Sequence, residues 1–121
     1  MAKLTVSNAK VARAIAMLRV AADRQQRITL DEIAALMTER IDAERLGTLI
    51  SDHTGFNFTE WRTAFLIRPS VSPLLNTDED VKQIVGKLQA FKDSSHFSHE
   101  FHRFFGVSPS EFRRFWRSNR S

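Results

Sequence analysis

Apolar residues in this chain recur at steps of three and four, and no stretch alternates with the period of two that a half-buried strand requires. Val11, Ile15, Leu18 and Ala22 form one such stripe and predict a helix over 8–22, with Ser7 or Asn8 as its N-cap. Thr29-Leu30-Asp31-Glu32 fits a capping box and predicts a short helix with Leu30, Ile33, Ala34 and Met37 inward. A polar turn around 38–42 leads to a helix over 43–53, closed by Gly55 at a left-handed C′ position. The next helix should run from Phe58 through Trp61 and Phe65 to Arg68, where Pro69 and Pro73 interrupt it. Thr77-Asp78-Glu79-Asp80 repeats the capping signature ahead of Val81, Ile84, Val85 and Leu88. Residues 94–105 predict a helix with Phe97, Phe101 and Phe104 inward and Gly106 after it. Ser108-Pro109-Ser110-Glu111 then opens the last helix, with Ser108 as N-cap and Pro109 at its first position. The expected fold is all-α with about seven helices: a subdomain over 1–68, a proline-interrupted linker over 69–76 and a second subdomain over 77–121.

At 121 residues the chain has the size of one domain, or of two very small ones, and can bury roughly two-thirds of its unfolded surface. It has no cysteine, which excludes disulfides, thiolate metal sites and cysteine nucleophiles. No apolar run approaches a membrane span, and no apolar segment with a cleavage site opens the chain, so a cytoplasmic protein is expected. The net charge of +4 is unevenly placed. Residues 1–60 carry eight basic and eight acidic side chains, whereas residues 61–121 carry ten and six. From Arg103 onward five arginines face Glu111 alone, which suits a polyanionic partner, usually nucleic acid. Every Phe and Trp lies at or after Phe56, so aliphatics must build the first core and phenylalanines the second.

The predicted elements repeat. A short capped helix, a turn, a second helix, a glycine and a third capped helix occur over 29–68 and again over 77–116. Gly55 and Gly106 are 51 residues apart, and the segments beginning at Phe56 and Val107 answer each other. A short helix, a tight turn and a second helix is the helix-turn-helix plan, whose second helix enters the major groove of duplex DNA. Two such units predict a monomer with two reading heads, set about 34 Å apart along one face of the duplex if both bind.

The run Phe101-His102-Arg103-Phe104-Phe105-Gly106-Val107-Ser108-Pro109-Ser110-Glu111-Phe112-Arg113-Arg114 resembles the C-terminal signature of the AraC/XylS-type transcriptional regulators. Ala90-Phe91, His96-Phe97-Ser98, the segment Ile28–Ala34 and Thr54-Gly55 are similar to further family segments, so the resemblance covers about residues 10–116. It implies two helix-turn-helix units and activation of transcription through contact with RNA polymerase. The chain departs from the family at Pro69, Ser70 and Pro73, where a continuous linker helix carrying an Arg and an Ala is usual. The turn Leu88-Gln89-Ala90-Phe91 also reads as one residue longer than the family form. No effector-sensing domain fits beside two heads in this length, so the expectation is a small stand-alone regulator or the DNA-binding end of something longer, and Met1 favours the former.

Helical geometry assigns Ser94, Ser95, Ser98, His99, His102 and Arg103 to solvent or the groove, opposite the phenylalanine stripe. Ser94, Ser95, Ser98 and His99 are the base-reading candidates, since residues near the start of a recognition helix reach base edges. The resemblance aligns Ser95 and His99 best with base-reading positions. His102, Arg103, Arg113, Arg114 and Arg117, with Arg120 beyond them, suit phosphates, which supply affinity without sequence choice. Backbone amides near Asp93–Ser95 and Ser108 could add phosphate contacts. In the first head, Glu44, Arg45, Thr48 and Ser51 are the candidates. Glu44 and Asp52 repel phosphates there, and Gly47 has no side chain to read a base and costs about 0.5–1 kcal/mol relative to Ala. The second head is therefore expected to dominate.

His96, His99 and His102 lie at three-residue steps, each turning a helix by about 300°, which spreads them around its surface, and no metal site is expected from them. No Gly-rich phosphate loop, HExxH or Ser-Gly nucleophile turn is present, and no catalysis, cofactor or metal is expected. A rival reading keeps the fold and changes the partner. The uncharged first half would then dock RNA polymerase or another regulator, with weak or no specific DNA reading of its own.

Overall fold

The computed structural model describes residues 6–118, with side chains from residue 9 onward. It contains seven helices and, among the described residues, no strand: α1 (Val6–Asp23), α2 (Leu30–Leu36), α3 (Ala43–Thr54), α4 (Phe58–Asn76), α5 (Val81–Gly86), α6 (Ser94–Phe105) and α7 (Pro109–Ser118). They fall into two compact units, Met1–Arg62 and Thr63–Ser121. The division between them falls inside α4.

In the first unit, α1 is already helical at Val6, so Ser7 and Asn8 lie within the helix and do not cap it. Their side chains lie outside the described residues. The buried stripe of α1 is Val11, Ala14, Leu18, Ala21 and Ala22, with Ile15 only half-buried. Gln25, at φ 56°, closes α1 in the left-handed region, and its amide donates to the Ala22 carbonyl at 2.8 Å. Thr29 and Glu32 form the expected capping box on α2, each side chain accepting the other's amide. Ile33 of α2 and Leu46, Leu49 and Ile50 of α3 are buried and complete an aliphatic core. Gly55 ends α3 at φ 82°, the left-handed position expected of it.

One expectation fails at α4, which runs unbroken from Phe58 through Pro69 and Pro73 to Asn76. Each proline removes an amide donor at a cost of about 3 kcal/mol or more, yet its fixed φ is helical. The apolar stripe explains why the helix continues: Leu66, Ile67, Ser70 and Leu74 follow one another at helical steps and are fully buried, while Pro69 is exposed. Burial of three aliphatic side chains at about 1.5–3 kcal/mol each offsets the lost hydrogen bonds. Ser70, the buried polar member, donates its hydroxyl to the Ile67 carbonyl at 2.7 Å.

In the second unit, α5 is capped by Asp80 and Gln83 rather than from Thr77. Thr77 belongs to the end of α4, donating its hydroxyl to the Pro73 carbonyl. The core here is aromatic: Phe91 meets Phe97 edge-on at 5.1 Å, and Phe101 lies 5.6 Å from Phe97 and 5.4 Å from Phe112. Phe104, expected inward, is 47% exposed, because the buried stripe passes from Phe101 to the half-buried Phe105 instead.

The internal repeat is stricter than the sequence pattern suggested. Caps Thr29 and Asp80, their partners Glu32 and Gln83, caps Asp42 and Asp93, and glycines Gly55 and Gly106 are all offset by the same 51 residues. Asn57 and Ser108, which receive the amides of Glu60 and Glu111, keep that offset. No residue is inserted in the second turn relative to the first.

Candidate nucleic-acid interface

A helix becomes a reading element when one face is fixed against its own unit and the other is left open. Asp93 fixes the start of α6 by accepting the His96 amide at 2.8 Å, and Gly106 fixes its end at φ 79°. Phe97 and Phe101 are fully buried and hold the inner face. On the opposite face Ser95, His99, His102 and Arg103 are exposed. Ser95, His99 and His102 fall within an arc of about 60° around the axis. Ser94 and Ser98 are half-buried at the edges of this row and are the weaker candidates.

His96 stands apart from the other histidines. Its Nδ1 accepts the Lys92 amide at 3.2 Å, its Nε2 lies 3.0 Å from Glu100 Oε1, and its ring meets Phe91 edge-on at 5.7 Å. With Nδ1 accepting, Nε2 carries the proton and donates to Glu100. The ring therefore serves the packing of the turn onto α6, while His99 and His102 face outward. Among the described residues no three His, Cys, Asp or Glu side chains gather as metal ligands would.

The arginines divide into two groups. Arg113 donates from Nε to the Leu74 carbonyl at 2.9 Å and from Nη2 to the Pro73 carbonyl at 3.4 Å. Arg117 donates to the Thr77 carbonyl at 2.6 Å and pairs with Asp78 at 3.0 Å. Both serve the carbonyl-rich end of α4, where cations are favoured, so part of each guanidinium's donor set is engaged within the protein. Arg103 and Arg114 are exposed and make no hydrogen bond or ion pair among the described residues. Arg120 lies outside the described residues. The start of α6 also changes its reading, because the Asp93 carboxylate sits where a phosphate was expected. At the start of α7 the cap is the neutral Ser108, which accepts the Glu111 amide at 3.1 Å.

This division gives a direct expectation. Replacing Arg113 with Met strips donors from two carbonyls and should cost about 1–3 kcal/mol of stability. Replacing Arg114 with Gln should leave the melting temperature unchanged. Thermal unfolding by circular dichroism checks both, and equal melting temperatures for the two variants would contradict the assignment.

In the first head, α3 starts at Asp42, whose carboxylate accepts the Arg45 amide at 2.8 Å. Sequence inspection placed Asp42 in a plain polar turn; its offset of 51 from Asp93 was the available signal. Glu44, Arg45 and Thr48 are exposed and Ser51 is half-buried. The Thr48 hydroxyl donates to the Glu44 carbonyl at 3.1 Å. Gly47 faces α2: a Cβ there would come within 3.0 Å of Leu30 Cδ2, so the Leu30 side chain would have to shift to admit one. Glu44, Thr48 and Ser51 border an open groove of about 540 Å³ floored by Leu30 and Phe58.

A family model described as a helix-turn-helix domain matches residues 39–114. The chain is 30% identical over 94 residues to YtdP of Bacillus subtilis, described as an uncharacterized HTH-type transcriptional regulator. That match takes in 78% of this chain but 12% of the relative, so the chain spans a small part of that protein's length. Among solved structures, the C-terminal domain of AraT, a response regulator from Geobacillus stearothermophilus, is similar at a TM-score of 0.74 and 22% identity, over 94% of this chain and 88% of that one. An AraC-type transcriptional regulator from Chromobacterium violaceum gives 0.74 at 20% identity, over 95% and 97%. The DNA-binding domain of AdpA, solved with a target DNA, gives 0.67 at 19% identity, over 92% and 96%. These structural likenesses concern the fold.

Proposed function

The chain belongs to the AraC-type family of helix-turn-helix DNA-binding transcriptional regulators, and from that premise we propose that it binds a specific duplex sequence chiefly through α6. The observation that carries the reading is the exposed row of Ser95, His99, His102 and Arg103 on a helix whose other face is locked by Phe97 and Phe101. Ser95 and His99 offer short donors and acceptors to base edges in the major groove. Arg103 and Arg114 neutralise phosphates, His102 offers a hydrogen bond to one, and together they fix the register. The AdpA domain, solved with its target DNA, supports duplex DNA as the partner. As the outcome of binding we propose transcriptional activation through contact with RNA polymerase, which the family resemblance implies.

The rival partner, a protein docked on the first unit, is favoured by one observation. Val20 and Leu36 are 53% and 65% exposed there, on a half of the chain with no net charge. The two readings divide the molecule rather than exclude each other.

Selection from a pool of randomised duplexes tests the proposal. The intact protein should enrich a site in which one groove segment is strongly defined. Enrichment of no sequence over repeated rounds at low salt would overturn it.

A further inference from the structure

Glu44 has a position and a chemistry that do not serve DNA affinity. The repeat aligns Glu44 with Ser95 and Thr48 with His99, so Glu44 occupies the first outward position of the first recognition helix. It is exposed, and its carboxylate makes no hydrogen bond or ion pair among the described residues. A bland account exists: an acid in a first helical turn gains from the helix N-terminus. Here, however, Asp42 already caps α3, and phosphates would repel a second carboxylate. The neighbours on the same stripe leave it dominant. Gly47 is turned against Leu30, Thr48 returns its hydroxyl proton to the Glu44 carbonyl, and Ser51 is half-buried.

A carboxylate in the major groove can only accept. Guanine offers O6 and N7 and thymine offers O4, all acceptors that repel it. Adenine offers one amino donor beside the acceptor N7, whereas cytosine offers its N4 amino group alone. We propose that Glu44 is a specificity-determining residue that selects cytosine at one position of the segment contacted by α3, chiefly by excluding the other bases. This rests on the reading above that the chain binds duplex DNA, and adds that α3 enters a groove. Its signature is unusual: removing the side chain strengthens binding to other sequences while erasing a preference.

The test uses the full chain and the site selected by it, with each base pair of the α3-contacted segment varied in turn. Wild type should prefer cytosine at one position by about tenfold or more. Glu44→Ala should bind all four bases there alike, and bind the disfavoured three more tightly than wild type does. Glu44→Gln, which adds a donor, should move the preference toward adenine, whose N6 and N7 a Gln amide matches. Thr48→Ala should retain the cytosine preference. Unchanged base preferences in both Glu44 variants would overturn the inference and leave the α6 reading intact. A wild-type site defined only in the groove read by α6 would overturn it likewise. Failure of wild type to bind any duplex would instead remove the functional reading on which it stands.

Discussion

Raising the salt concentration from about 50 to 200 mM should weaken binding to duplex DNA by roughly a hundredfold. The second unit, Thr63–Ser121, carries nine basic and six acidic side chains, most of the net charge of +4, which favours it as the phosphate-neutralising half. Counting arginines alone would predict a steeper loss. The internal hydrogen bonds of Arg113 and Arg117 reduce the number available, since those guanidinium groups serve carbonyls at the end of α4. With about four phosphates neutralised, the logarithmic salt slope should be about −3.6. Arg103→Gln and Arg114→Gln should each lower its magnitude by about one, whereas Arg113→Gln should leave it unchanged. Fluorescence anisotropy with one labelled duplex across a salt series measures all four slopes. Salt-independent binding, or a reduced slope for Arg113→Gln, would show that the charges are differently employed.

Much of the fold was legible because its signals are local. The capping box at Thr29, the left-handed glycines and the apolar steps on α3 and α6 each depend on neighbours a few residues apart. What misled was a local rule overruled by packing. Pro69 and Pro73 read as a break, but Leu66, Ile67, Ser70 and Leu74 continue the buried stripe beneath them. That stripe is present in the sequence, but within a short window the prolines dominate it. Thr77 misled differently, since Thr77 and Asp80 are both good caps and only the offset of 51 from Thr29 selects Asp80.

The candidate interface was legible in its face and less so in its charges. Ser95, His99, His102 and Arg103 emerge on one open surface because helical geometry fixes which residues oppose Phe97 and Phe101. The roles of Arg113 and Arg117 depend on carbonyls some 40 residues earlier, a separation no local pattern reveals. The restricted space at Gly47 likewise shows only against Leu30 on the preceding helix.

The second large effect concerns which head chooses the sequence. Ser95→Ala together with His99→Ala removes the two outward polar groups nearest the start of α6 while leaving Phe97 and Phe101 in place. Each good base contact is worth about 1–3 kcal/mol, so the pair should reduce specific binding by about a hundredfold or more. Binding to unrelated duplex should be little changed, because Arg103 and Arg114, the proposed phosphate contacts, remain. The corresponding pair in the first head, Glu44→Ala with Thr48→Ala, removes one repulsive charge and one hydroxyl already bonded to its own helix. That pair should relax a single base preference without loss of affinity.

A footprint on the selected site, run with the intact chain and both double variants after circular dichroism confirms their helicity, tests the central claim most directly. The predicted result is a groove segment whose protection disappears with Ser95→Ala and His99→Ala and persists with Glu44→Ala and Thr48→Ala. Two protected segments, each equally lost with its own pair of substitutions, would show two equivalent heads and contradict the account.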